Sequence, residues 1–191
     1  MEAIKKVEVN KVAKIILIAL LGTLLLTISA KIKIPFYPVP MTMQTFVVLF
    51  LGIALGPKIA LLTISLYLLE GIMGLPVFAG TPEKGIGFIY FTGPTMGYLI
   101  GFLVSTYFAG CFKYNNCFKE FKLKSAFKNL IKILFAVSFI YILGLLWLGL
   151  LIGWDKPIFK LGAQPFLLAE LFKMLILSII AGYLYKIKKI I

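Results

Sequence analysis

Glu170 and Lys173 stand three residues apart inside the last long apolar run of the chain, so a helix there places an acid and a base on one face. A helix beginning near Gln164 carries Lys173 about 14 Å along its axis, too deep for the ammonium to snorkel comfortably to the outer surface. Insertion scales assign a cost of about 2.5–3.5 kcal/mol to such a lysine at the centre of a membrane helix, so something must compensate it. One compensation is a self-satisfied ion pair that only packs helices together. The other is a polar ligand, because a pair alone leaves spare donors on the ammonium and spare acceptors on the carboxylate. Ionisable residues inside a membrane default to function, which favours the second.

Two further polar groups fall in the same half of the membrane: Gln44 at the head of one apolar run and Tyr98 one turn into another. Each also suits an ordinary membrane boundary, where Tyr is common. Glu70, near the end of its run, fits the headgroup layer equally well. The chain has no histidine, which removes Ser-His-Asp and Cys-His catalysis and histidine metal sites. No G-x-x-x-x-G-K-[ST] phosphate loop occurs, so ATP is not bound by that motif. No metal or cofactor is expected, and any energy must come from another protein.

The elements that position these residues follow from composition. Of 191 residues, 61% are hydrophobic and 14% charged, against about half and a quarter in soluble domains, so the chain reads as one integral membrane domain over 1–191. Apolar stretches at about 15–30, 42–55, 59–72, 94–112, 129–153 and 164–185 predict six transmembrane helices and an all-α architecture. The second and third are short and form one stretch broken at Gly56-Pro57, which reads as a tight hairpin or as a re-entrant pair.

All twenty basic residues are lysines, and the net charge is +13. In a membrane protein lysine first reports topology, so no nucleic-acid partner is inferred. Fourteen lysines fall on one side: Lys5, Lys6, Lys11, Lys14, Lys58, six between 113 and 132, and Lys186, Lys188 and Lys189. Lys31, Lys33, Lys84, Lys156 and Lys160 fall on the other. The positive-inside rule then places both termini in the cytoplasm of a multi-pass cell-membrane protein. The 113–132 loop could also meet anionic lipid or a protein partner, although orientation alone accounts for its lysines. Cys111 and Cys117 read as reduced bystanders.

The outer connections are rich in Pro and Gly, from Pro35, Pro38 and Pro40 to the 71–94 segment. Irregular backbone near lipid is tolerated where it lines a cavity, so the outer mouth is where a ligand is expected. Gly93, Gly97, Gly101, Ser105 and Ala109 recur every four residues as a small-residue stripe for close helix packing, and Ala19, Thr23 and Thr27 make a shorter one.

Pro38-Val39-Pro40-Met41-Thr42-Met43-Gln44-Thr45, Leu51-Gly52, Leu55-Gly56-Pro57-Lys58, Gly74-Leu75-Pro76-Val77-Phe78-Ala79-Gly80 and the run Gly93 to Phe102 resemble, in order, the BioY family. These are the biotin-specific S components of energy-coupling factor transporters. The resemblance resumes at Gln164-Pro165-Phe166 through Lys173, while residues 103–163 match in hydropathy alone. It implies an S-component-like six-helix bundle that binds biotin at its outer side and works with a transmembrane T component and two cytosolic ATPase subunits. It also implies that the loop between spans one and two acts as a lid.

By the same resemblance Glu170 and Lys173 contact the ligand. Family members often carry aspartate where Glu170 stands. The alanine-x-x-x-alanine docking pattern of the first helix is absent, with Ala19 and Thr23 the nearest substitute for meeting the T component. The ureido ring of biotin offers two N–H donors and a carbonyl, suited to a carboxylate and an ammonium. Gly93 and Gly97 would let backbone approach the ligand. Which biotin oxygen meets Lys173 stays open. Three alternatives also remain: an S component for another small vitamin, an intramembrane enzyme using Glu170 and Lys173, and a structural assembly subunit.

Overall fold

A computed structural model describes residues 2–35, 41–116 and 123–188, with side chains from residue 11. Pro38, Pro40, Cys117, Lys119, Lys122 and Lys189 therefore lie outside the described residues. The chain runs α1 (Glu2–Lys31), β1 (Lys33–Ile34), β2 (Met41–Thr42), α2 (Gln44–Ile72), α3 (Phe88–Phe91), α4 (Met96–Cys111), α5 (Leu123–Ile152), α6 (Ile158–Gly162), a 3-10 turn (Gln164–Phe166) and α7 (Leu167–Ile187). Among the described residues four helical stretches are long and apolar enough to cross a membrane, and α4 is a shorter apolar helix. The chain is a multi-pass membrane protein.

α2 is broken at Gly56, which adopts φ 77 and ψ 172 ahead of Pro57. That positive φ is open to glycine at little steric cost, and the proline ring cannot accept a helical predecessor. The side-chain amide of Gln44 donates to the Tyr67 hydroxyl at 2.9 Å. A straight helix would hold these residues about 35 Å apart, so the two arms of α2 fold back on each other. At the corner, Gly110 of α4 lies so close that a Cβ there would sit 2.5 Å from the Pro57 nitrogen.

α4 packs between α2 and α5. A repeat of four residues drifts by about 40° per step around a helix of 3.6 residues per turn, so the small-residue stripe winds from one neighbour to the other. Gly101 faces α5, where a Cβ would meet the Ile140 Cα at 2.6 Å, and Gly97 abuts Leu143, Gly144 and Trp147. Farther along, Ala109 faces Gly52 of α2, and the Thr106 hydroxyl donates to the Val48 carbonyl at 3.2 Å. The stripe is thus consumed within the molecule.

α1 presents Ala19, Thr23 and Leu26 inward and leaves Leu17, Leu20, Leu21 and Leu24 exposed. Its polar hydroxyls donate to their own helix, Thr23 to the Leu20 carbonyl and Thr27 to the Thr23 carbonyl. Such back-bonding makes a hydroxyl tolerable in an apolar setting.

Helix ends differ from the apolar stretches. α5 starts six residues before its stretch, because hydropathy marks where lysines end whereas the helix continues through them into the polar boundary. At the other end, residues 164–166 form a 3-10 turn around Pro165 and α7 begins only at Leu167.

Candidate ligand-binding site

The last helix owes its position to its inward face. Glu170, Lys173, Met174, Leu177, Ala181 and Leu184 are buried at helical spacing, while Leu171, Phe172, Leu175 and Ile176 face out. Lys173 is 2% exposed and Glu170 7%, a depth at which an unpaired charge would be expelled. The Lys173 ammonium donates to Glu170 Oε1 at 2.6 Å and to the Thr45 hydroxyl at 3.0 Å. The Thr45 hydroxyl in turn donates to Glu170 Oε1 at 2.8 Å. A closed triangle therefore joins the first turn of α2 to the first two turns of α7.

The triangle is incomplete in one respect. Glu170 Oε2 is buried and has no hydrogen-bond partner among the described residues. An ionised carboxylate accepts at both oxygens and an ammonium donates three times, so one acceptor and one donor remain for something else.

These groups open on a cavity of about 490 Å³, within the range of roughly 300–1,000 Å³ typical of small-molecule sites. Its polar wall is Thr42, Gln44, Thr45, Glu170 and Lys173, and the aromatic rings of Tyr98 and Tyr141 line it from α4 and α5. Leu148, Ile152, Leu161 and Phe166 supply apolar surface. The cavity lies at the end of the bundle formed by the 73–95 and 153–166 connections, opposite the lysine-rich start of α5.

The walls are braced by hydrogen bonds. Tyr67, having accepted from Gln44, donates to the Val77 carbonyl at 2.9 Å. Tyr90 donates to the Ala79 carbonyl at 2.8 Å. Burial holds the Tyr90 phenol above its ordinary range, with a smaller opposing effect from Thr95, so it stays a donor at neutral pH. Lys31 at the end of α1 donates to the Thr81 carbonyl and hydroxyl at 2.7 and 2.8 Å. Phe78 packs edge-on against Tyr67 and stacked on Tyr90, with ring centroids 5.2 and 4.8 Å away. It enters a space that a side chain on Gly71 would fill. Four aromatic and amide groups thus turn an irregular connection into a rigid rim.

Of the residues singled out in the sequence, Gln44, Tyr98, Glu170 and Lys173 are brought together on this cavity. Tyr98 also donates to the Gly162 carbonyl at 2.8 Å, so its hydroxyl anchors α6 while its ring faces the cavity. Gly93 and Gly97 do not line it. Gly93 accepts from the Trp147 indole at 2.9 Å, and Gly97 serves the α4–α5 contact. Ala19 and Thr23 are 1% and 2% exposed, packed inside the molecule rather than offered to a partner. Glu70 is half-buried and stands off the cavity.

Among the lining residues not singled out as ligand contacts, Thr45 and Tyr141 bear most directly on the polar groups. Thr45 had a faint signal, a hydroxyl beside Gln44 at the start of an apolar arm. Tyr141 had none, because a tyrosine in a long apolar run looks like any core aromatic until its ring is found edge-on to Tyr98, at 6.1 Å and 89°.

Fold and cavity define a multi-pass helical membrane protein with a largely apolar chamber, polar on one wall, near one end of its bundle. The BioY family model matches residues 3–189. The probable biotin transporter BioY of Pyrococcus horikoshii is 34% identical over 169 residues, covering 88% of this chain and 94% of that protein. The biotin transporter BioY of Thermotoga maritima is 34% identical over 166 residues, 87% and 92% of the two chains. The crystal structure of the S-component for biotin from an ECF-type ABC transporter superposes with a TM-score of 0.70 at 27% identity, covering 93% of each chain. The chain belongs to the BioY family.

Proposed function

We propose that this chain is the substrate-binding S component of an energy-coupling factor importer and that its substrate is biotin. The observation that carries the reading is the buried, unpartnered Glu170 Oε2 beside a lysine with a donor to spare, in an otherwise largely apolar chamber. A cyclic urea fits that arrangement: its N–H groups donate to the carboxylate, and an oxygen of the ligand accepts from Lys173. The bicyclic body and aliphatic tail take the apolar and aromatic wall. Relatives that carry the name biotin transporter support the same substrate.

The rest of the reading follows from S-component architecture. The whole chain is one membrane domain with six crossings, two of them the arms of α2, and both termini are cytoplasmic. The cavity then opens outward, and transfer to the cytoplasm requires a transmembrane T component and two cytosolic ATPase subunits, in keeping with the missing phosphate loop. Ala19 and Thr23 are packed on their own bundle. The exposed leucines of α1 are the surface that helix offers.

Calorimetry on the purified, biotin-stripped chain tests the substrate. Saturable binding of biotin is expected, with no response to thiamine or riboflavin. Lys173→Ala should weaken it at least 30-fold, the equivalent of about 2 kcal/mol for breaking a buried charge pair. Folded protein that ignores biotin, or binds another vitamin in preference, overturns the assignment.

A further inference from the structure

A second cavity, of about 520 Å³, lies on the outside of the bundle between the first turns of α5 and the middle of α7. Its position follows from residue size. Ala126 and Ser178 are buried side chains too small to close the gap between the two helices, while Phe127, Leu130 and Leu175 stand at its sides. The Ser178 hydroxyl is already satisfied by the Leu175 carbonyl at 2.7 Å, so the floor offers no free polar group to a soluble ligand. Leu123, Phe127 and Leu175 at its edges are exposed apolar side chains on two of the helices long and apolar enough to span, so in a membrane the groove faces lipid.

One end is different. Lys124 lines the groove, and Lys128 stands exposed one turn farther along the same face of α5. Among the described residues neither has an ion-pair partner, and no acidic residue occurs within α5. An apolar channel with one unpaired ammonium in its wall at one end, and a second beside it on the same helix, is complementary to an amphiphile with a hydrocarbon chain and a negative head. A zwitterionic lipid could fill the channel but would gain little from the lysines.

We propose that the α5–α7 groove is a binding site for an anionic phospholipid, its acyl chain lying over Ala126 and Ser178 and its phosphate held by Lys124 and Lys128. The lipid comes from the leaflet that the lysine-rich end of the bundle faces. Bound there, it fills a gap between the helix that carries Glu170 and Lys173 and its neighbour. This reading depends only on the groove, and it stands whatever ligand occupies the inner cavity.

The test uses the full chain, purified in a neutral detergent and stripped of lipid. Phosphatidylglycerol and phosphatidylcholine of identical acyl composition are added separately, and binding is counted by native mass spectrometry alongside the thermal midpoint. One retained phosphatidylglycerol and a midpoint raised by roughly 2–4 °C are expected, with phosphatidylcholine doing little. Lys124→Gln combined with Lys128→Gln should abolish the preference, and Ala126→Leu should abolish retention by filling the floor. Equal response to the two lipids, or a preference that survives both variants, overturns the proposal. So does a groove-filling variant that leaves lipid binding intact but blocks assembly with the T component, which would make the groove a protein interface.

Discussion

Thr45 is the residue on which the charged pair turns. It donates to the same Glu170 oxygen that Lys173 donates to, and accepts from Lys173 itself. That crowding on one oxygen leaves the second without a partner among the described residues. Thr45→Val keeps the shape, removes one donor and one acceptor, and should weaken ligand binding about fivefold, the equivalent of about 1 kcal/mol for a typical hydrogen bond. Calorimetry on the variant would read it, and an unchanged affinity would mean that the pair holds its geometry alone. Glu170→Gln should be more damaging, because it leaves Lys173 buried without a counter-charge, and thermal stability should fall together with affinity. The acid and the lysine were legible as an unusual spacing inside an apolar run. The hydroxyl that orients them was not, because its partners lie 125 and 128 positions away and local periodicity carries no information across that distance.

Between helices, packing is set by positions where no side chain is tolerated. Gly101→Leu would drive atoms into the backbone of α5 at Ile140, and overpacking of this kind costs about 1–3 kcal/mol. The thermal midpoint in detergent should drop while the cavity chemistry is untouched. A polar clamp does comparable work at the lysine-rich end. Asn129, fully buried, donates to the Asn115 and Ser178 carbonyls at 2.9 and 3.0 Å and accepts from the Asn115 amide at 3.0 Å. Asn129→Leu should release the 112–116 segment, seen as faster amide exchange there, and unprotected exchange already present in the parent chain would contradict it. The α4 stripe and the break at Gly56-Pro57 were readable because glycine and proline act locally. The short α3, the β1–β2 pair and the 3-10 turn were not. α3 is held by the tertiary bond from Tyr90 to Ala79 rather than by its own sequence preference, and the other two are too short for hydropathy or periodicity to mark.

For the molecule as a whole, lysines divide the two ends. If the lysine-rich end is cytoplasmic, an impermeant amine reagent added outside intact cells should label Lys33, Lys84 and Lys156, whereas Lys113, Lys124 and Lys128 should react only after permeabilisation. The reverse pattern would invert the topology. Composition and lysine placement made the class of protein legible from sequence, and the ordered Gly and Pro motifs made the family legible. The contents of the chamber were less so, because residues 103–163 supply Tyr141, Leu148 and Ile152 through hydropathy alone.

The pairing of Glu170 with Lys173 has an electrical side as well. As an ion pair the two groups sum to no net charge, so if transfer carries the site across the bilayer, the empty site moves no net charge through the field. A ligand carrying one carboxylate changes that. The loaded site then bears a single negative charge, which a potential negative inside opposes by about 2.3 kcal/mol per 100 mV if the full drop is crossed. If the site crosses in this way, vesicle uptake by the proposed assembly should slow as the interior is made more negative when movement of the loaded site limits the rate, and should ignore the voltage when movement of the empty site does.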